Sequence, residues 1–168
     1  MFSLPLKAEE TRLDGLYADL SSAAEPKEAR RIAREIELAW RSSGSASADL
    51  LLKRGRDALK AGDIQSAIGH LTALTDHAPD FAEGWNARAT AFAAAELYGP
   101  ALADIERALA LEPRHFNALA NLGGILAQSE RPAMAKQAFE YALAIHPHHE
   151  DVLQAIEKVK HDIGGRDL

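Results

Sequence analysis

An all-α solenoid is the fold this sequence predicts: three helical hairpins in a row, preceded by an N-terminal helical hairpin and closed by a capping helix. Three observations carry that expectation. Pro79, Pro113 and Pro147 stand at a constant spacing of 34 residues. Residue sizes match when the chain is laid in rows of 34 beginning at Ala48, Ala82 and Phe116, and a fixed period of this length marks a repeat architecture. Alanine and leucine supply most of the apolar residues while valine occurs only at Val152 and Val159, a bias that favours helix over sheet.

The first eight residues contain Phe2, Leu4 and Leu6, then Ala8 and an acidic pair. They read as the tail of a secretory apolar region leading into a cleavage site, or as a disordered start. The first alternative implies a periplasmic home and the second a cytoplasmic one. Residues 9–46 read as a helical hairpin and linker. Leu13, Leu16, Tyr17 and Leu20 form one short amphipathic stripe, and Ala29, Ile32, Ala33, Ile36 and Trp40 form another, with Pro26 suited to the first turn of the second helix. Two roles are open to this hairpin: a degenerate repeat that caps the N-terminal end of the stack, or a self-association arm with Trp40 as anchor, making a homodimer.

Rows 48–81, 82–115 and 116–149 make up the repeat region, 47–149. Column four holds Leu51, Trp85 and Leu119; column eight holds the small residues Gly55, Ala89 and Gly123. Column eleven reads Ala58, Phe92 and Leu126, column twenty is alanine three times (Ala67, Ala101, Ala135), and column twenty-four reads Leu71, Ile105 and Phe139. Column twenty-seven holds Leu74, Ala108 and Ala142. Each row splits into two amphipathic helices, the small residues letting paired axes approach. Gly62 is free to take a left-handed cap and Asp63 to cap the following helix. Pro100 and Pro132 sit near the starts of second helices, and the three periodic prolines end them. Residues 150–162 read as the capping helix, with Val152, Ile156 and Val159 inward and Glu157, Lys158 and Lys160 outward. Residues 163–168 read as a disordered tail.

These columns resemble the tetratricopeptide repeat family, whose pattern is W-x2-L-G-x2-Y, then A-x3-F, then P. The second row offers Trp85, Ala89, Phe92, Ala101, Ile105 and Pro113; the third offers Leu119, Leu122, Gly123, Leu126, Ala135, Phe139 and Pro147. Arg54 and Arg88 replace the usual leucine of column seven, which predicts partial exposure or a salt bridge. The resemblance implies a curved stack whose first helices line a concave wall. It also implies a protein or peptide partner lying there as an extended segment.

By that register the wall carries Arg56 and Lys60 from the first row, Asn86 and Thr90 from the second, and Asn117, Asn121, Gly124 and Gln128 from the third. Amide side chains donate and accept together, so they can hold a peptide backbone without demanding one sequence. Gly124 in mid-helix costs about 1 kcal/mol relative to alanine, which points to a close approach by a guest or by another part of the same chain. The chaperone-binding members use a clamp with Lys and Asn in columns five and nine of their first repeat, Asn in column six of the second, and Lys and Arg in columns two and six of the third. Here those positions hold Leu52, Arg56, Ala87, Asn117 and Asn121, so the clamp is not reproduced.

Other chemistries are poorly supported. The net charge of −6 argues against nucleic acid, since neutralising phosphates requires an excess of Lys and Arg. No apolar run approaches the ~18 residues that a membrane span requires. There is no cysteine, which removes disulfides and thiol catalysis, and no nucleophile elbow, phosphate loop or HExxH pattern appears. His146, His148 and His149 crowd one turn around Pro147. A zinc site draws its ligands from converging rigid elements, so a solvated turn is the better expectation and no metal or cofactor is implied.

Overall fold

The computed structural model describes residues 4–165, with side chains described from residue 8. Met1–Ser3 and the last three residues of the expected tail lie outside the described residues. Nine helices are described, in the order α1 Leu4–Ser22, α2 Pro26–Trp40, α3 Ala46–Lys60, α4 Ile64–His77, α5 Ala82–Ala94, α6 Tyr98–Leu111, α7 Phe116–Gln128, α8 Pro132–Ile145 and α9 Glu150–Gly164. There is no strand among the described residues, and none of these helices is long and apolar enough to cross a membrane.

Helices α3/α4, α5/α6 and α7/α8 are the three repeat hairpins, and α9 packs on α8. Column eight explains how closely each pair meets. A Cβ placed on Gly55 would lie 2.4 Å from Leu71 Cγ, and one on Gly123 would lie 2.3 Å from Phe139 Cε1. The large residue of column twenty-four therefore packs against the bare backbone of column eight, and only a small residue fits opposite it. Asp63 caps α4 by accepting from the Ser66 amide, Pro132 stands in the first turn of α8, and each periodic proline lies two residues beyond its helix.

The interhelix turns have a cost visible only in three dimensions. Gly62, Glu96 and Glu130 occupy the same repeat position, and all three are left-handed, with φ of 77°, 60° and 59°. Glycine takes that conformation freely; a residue with a Cβ pays roughly 1 kcal/mol or more.

Column seven also resolves. Arg88 makes a bidentate pair with Asp104, with Nε–Oδ2 at 2.7 Å and Nη2–Oδ1 at 2.8 Å. Its guanidinium lies 4.9 Å from the Trp85 ring centroid. Both partners are largely buried, while Arg54 in the first row is exposed.

The N-terminal hairpin departs from the expectation of a cap on the first repeat. α1 is longer than the stripe predicted, beginning at Leu4 and so taking in part of the leader-like start. The hairpin does not cap the first repeat. It folds back along the edge where first helices begin and docks on the third repeat and α9. Tyr17, Leu20, Ile32, Ile36 and Trp40 share one core with Phe116, and Ile145 packs against it. Ion pairs Arg114–Asp14 (2.7 Å) and Arg30–Glu150 tie its two helices to the turn before α7 and to the first residue of α9. The His148 Nε2–H donates to the Ala23 carbonyl at 2.9 Å. Trp40 is buried, donates to the Tyr17 hydroxyl at 3.2 Å and stacks on the His115 ring at 3.9 Å between centroids. As an anchor for self-association it is thus already engaged within its own chain.

Candidate peptide-binding groove

The first helices α3, α5 and α7 form the floor of a concave trough, and α9 forms its far wall. The central recess has a volume of about 440 Å³. Arg56, Asn86, Thr90, Asn117, Asn121 and Gly124 line it together with Ala120, and from α9 come Asp151, Val152 and Ala155. Six of the eight residues expected on the wall therefore meet at one surface. Lys60 lies at the outer flank of α3 in a neighbouring recess with Arg41 and Lys53. Gln128 is exposed at the other end, beside Ala127 and Lys158.

A buried carboxylate organises the floor. Glu83 stands in the first turn of α5 and is 4% exposed. It pairs with Arg56 of α3, accepts from Asn86 at 3.3 Å and meets His115 Nε2 at 2.7 Å. Burial raises its pKa, but the hydrogen bonds from His115 and Asn86 and the charge of Arg56 outweigh that cost and hold it below the ordinary glutamate range. His115 Nδ1 accepts the Ala118 amide at 3.2 Å. That bond leaves a proton on Nε2, which the ring donates to Glu83. Nothing in the sequence pattern flagged Glu83 or His115 as partners, because they sit 32 residues apart. Only the stacking of α5 against α7 brings them together.

The amides are less free than their columns imply. Asn121 donates to Asn86 Oδ1 at 2.8 Å and to Thr90 Oγ1 at 3.2 Å. Asn117 donates to Glu37 of α2 at 2.9 Å and accepts from His149 Nε2 at 3.3 Å. The cause is the repeat itself, since neighbouring columns on successive first helices lie side by side. Among the described residues Asn121 Oδ1 accepts nothing. Gly124 is open as well: a Cβ there would meet no atom within 4 Å. Neither α9 nor the N-terminal hairpin needs that space.

The histidine turn is structural. His146 is buried among Phe116 and His149, its Nδ1 has no hydrogen-bond partner, and its pKa falls to about 4 through burial and the neighbouring His149 and His148. Burial likewise lowers His149. Among the described residues no group of histidines and carboxylates has the arrangement to hold a metal ion.

Stacked helix pairs with a solvent-open trough along their first helices define the molecule as a helical-repeat scaffold. The tetratricopeptide repeat family model matches residues 52–103 and 87–150. A TPR repeat-containing protein of Rhizobium etli is 38% identical over 136 residues, covering 81% of this chain and 67% of that protein. The chain belongs to the tetratricopeptide repeat family. Among solved structures, the first TPR of Spaghetti (RPAP3) bound to the HSP90 peptide SRMEEVD superposes with a TM-score of 0.69 at 22% identity, covering 71% of this chain and 98% of that one. The second TPR domain of human RPAP3, in complex with the HSP70 peptide SGPTIEEVD, gives 0.64 at 25% identity, covering 68% and 95%. The yeast Sti1 TPR2B domain in its complex with pHsp70 gives 0.65 at 21%, covering 70% and 99%.

Proposed function

We propose that this protein is a non-catalytic adaptor that holds an extended segment of a partner protein in the concave trough. The observation that carries this reading is the open backbone at Gly124 in the middle of the trough, next to the unclaimed Oδ1 of Asn121. A mid-helix glycine gives up about 1 kcal/mol of helix stability, and no neighbour in the chain requires it. A guest backbone approaching α7 would use that space, with its N–H groups offered to Asn121.

The family likeness supports peptide binding as the activity, since the RPAP3 and Sti1 domains above are in complex with chaperone peptides. Their ligand class does not transfer. Of the clamp positions, Leu52 and Ala87 are buried apolar residues and Arg56 is engaged by Glu83.

The test is selection of a phage-displayed library of nine-residue peptides on the full chain, followed by rebinding to Gly124→Gln. That variant adds bulk where the structure has room, so its helical circular dichroism stays as in the parent. Peptides that bind the parent and lose tenfold or more on Gly124→Gln place the guest in the trough. Selected peptides that ignore the substitution would remove the groove as the site.

A further inference from the structure

The trough is electrostatically lopsided, and that asymmetry specifies its guest. Its order along the stack is α3, α5, α7, α9. The central recess adjoins the α3 flank, with Arg56 bordering both. It also opens into a side recess under α2, because Asn117, His149 and Asp151 border both of these.

On the floor of the central recess the charges cancel, Arg56 against Glu83. At the α3 flank they do not. Lys53 is neutralised by Asp57 at 2.6 Å, whereas Arg41 and Lys60 form no direct ion pair among the described residues and face the same recess. Asp49, which accepts two hydrogen bonds from Ser43, offsets one of those charges and leaves the flank positive. The α9 end has the opposite sign. Glu150 is held by Arg30, and Arg34 and Glu37 offset one another in the side recess. Asp151, exposed and in no direct ion pair among the described residues, remains as the net charge. Burial disfavours the charged form of His149 beside it.

From this geometry we infer that the trough selects an extended peptide of opposite charge at its two ends. An acidic residue lies over Arg41 and Lys60, a small residue crosses Gly124, and a basic residue reaches Asp151. The inference rests on the groove reading above and adds the partner's chemistry and direction to it. Packed helix axes lie roughly 8–10 Å apart, so the three steps from α3 to α9 cover roughly 24–30 Å. At about 3.3 Å per residue for an extended chain, the guest segment is about seven to nine residues long. A uniformly acidic tail satisfies one end and is repelled at the other.

The nine-residue library tests this on the full chain. Among peptides that lose binding on Gly124→Gln, the expected consensus has Asp or Glu at one end and Lys or Arg at the other. A synthetic consensus peptide, followed by fluorescence polarisation, binds Arg41→Glu/Lys60→Glu about fivefold more weakly, in keeping with two exposed charge pairs. Changing the peptide's acidic residue to lysine restores it. Asp151→Lys acts in the same way at the basic end, and 0.5 M salt flattens these differences. Groove-dependent peptides with one sign of charge throughout, or with no charge bias, overturn this inference while the groove stands. If no peptide depends on Gly124, both readings fall together.

Discussion

Gly123 and Gly124 are adjacent in α7, and replacing each with alanine should move stability in opposite directions. Either change recovers up to about 1 kcal/mol of helix propensity. At Gly124 the new methyl meets nothing within 4 Å, so the whole gain remains. For a chain of this size 1 kcal/mol raises Tm by about 2–4 °C. At Gly123 the methyl would sit 2.3, 2.4 and 2.7 Å from three carbons of the Phe139 ring, an ångström or more inside ordinary contact. Phe139 is 3% exposed in the core between α7, α8 and α9, so relief requires the α7 and α8 axes to part. Overpacking of that kind costs about 1–3 kcal/mol, leaving a net loss of up to about 2 kcal/mol after the propensity gain. Thermal unfolding followed at 222 nm, with urea titrations in parallel, measures both. If the two variants shift in the same direction, the assignment of one glycine to the helix seam and the other to the open trough is wrong.

Three further outcomes follow from the same contacts. Glu96→Gly and Glu130→Gly relieve a left-handed backbone at exposed turns, and each should stabilise by about 0.5–1 kcal/mol in chemical denaturation. Removing one member of the Arg88–Asp104 pair strands the other in a largely buried site. Asp104→Ala should therefore cost about 3 kcal/mol, whereas Arg88→Leu/Asp104→Leu should lie near the parent; a double variant as poor as the single would refute this. Acid should loosen the hairpin's seat in two stages. His146 has its pKa lowered to about 4 in the fold against an ordinary value of 6.5, so its contribution is complete above pH 6.5 and is lost as pH falls toward 4. That amounts to about 3 kcal/mol at most. Glu83, held below the ordinary carboxylate range, adds a second loss below about pH 4.5. Urea unfolding of His146→Leu at pH 7.5, 5.5 and 4.5 should show a much smaller upper stage, the remainder belonging to His149, and retention of the full loss would discard the assignment.

How much of this was legible in the chain depends on how far each contact reaches along it. Contacts within a row were readable, because the small residue of column eight and the large residue of column twenty-four lie 16 positions apart in every row. They recur as Gly55 with Leu71 and Gly123 with Phe139. Contacts between rows were half readable: the register put Asn86 and Asn121 on the concave wall, yet it could not show that stacking makes them partners at 2.8 Å. The hairpin's seat was not readable at all. The stripe ending in Trp40 says that a face must be covered, while its partners His115 and Phe116 lie some 75 residues away and belong to columns shared by every row. What distinguishes the third row is the company its turn keeps, Phe116 edge-on to His146 and His149, a cluster of rings that Trp40 joins through Phe116. The same reasoning separates the two glycines of α7. Periodicity assigns Gly123 a reason to be small, the Phe139 ring across the seam; it assigns Gly124 none, and the structure leaves that position facing open space. A small residue without an internal cause, set on the wall that the repeats share, is the space that the proposed guest would use.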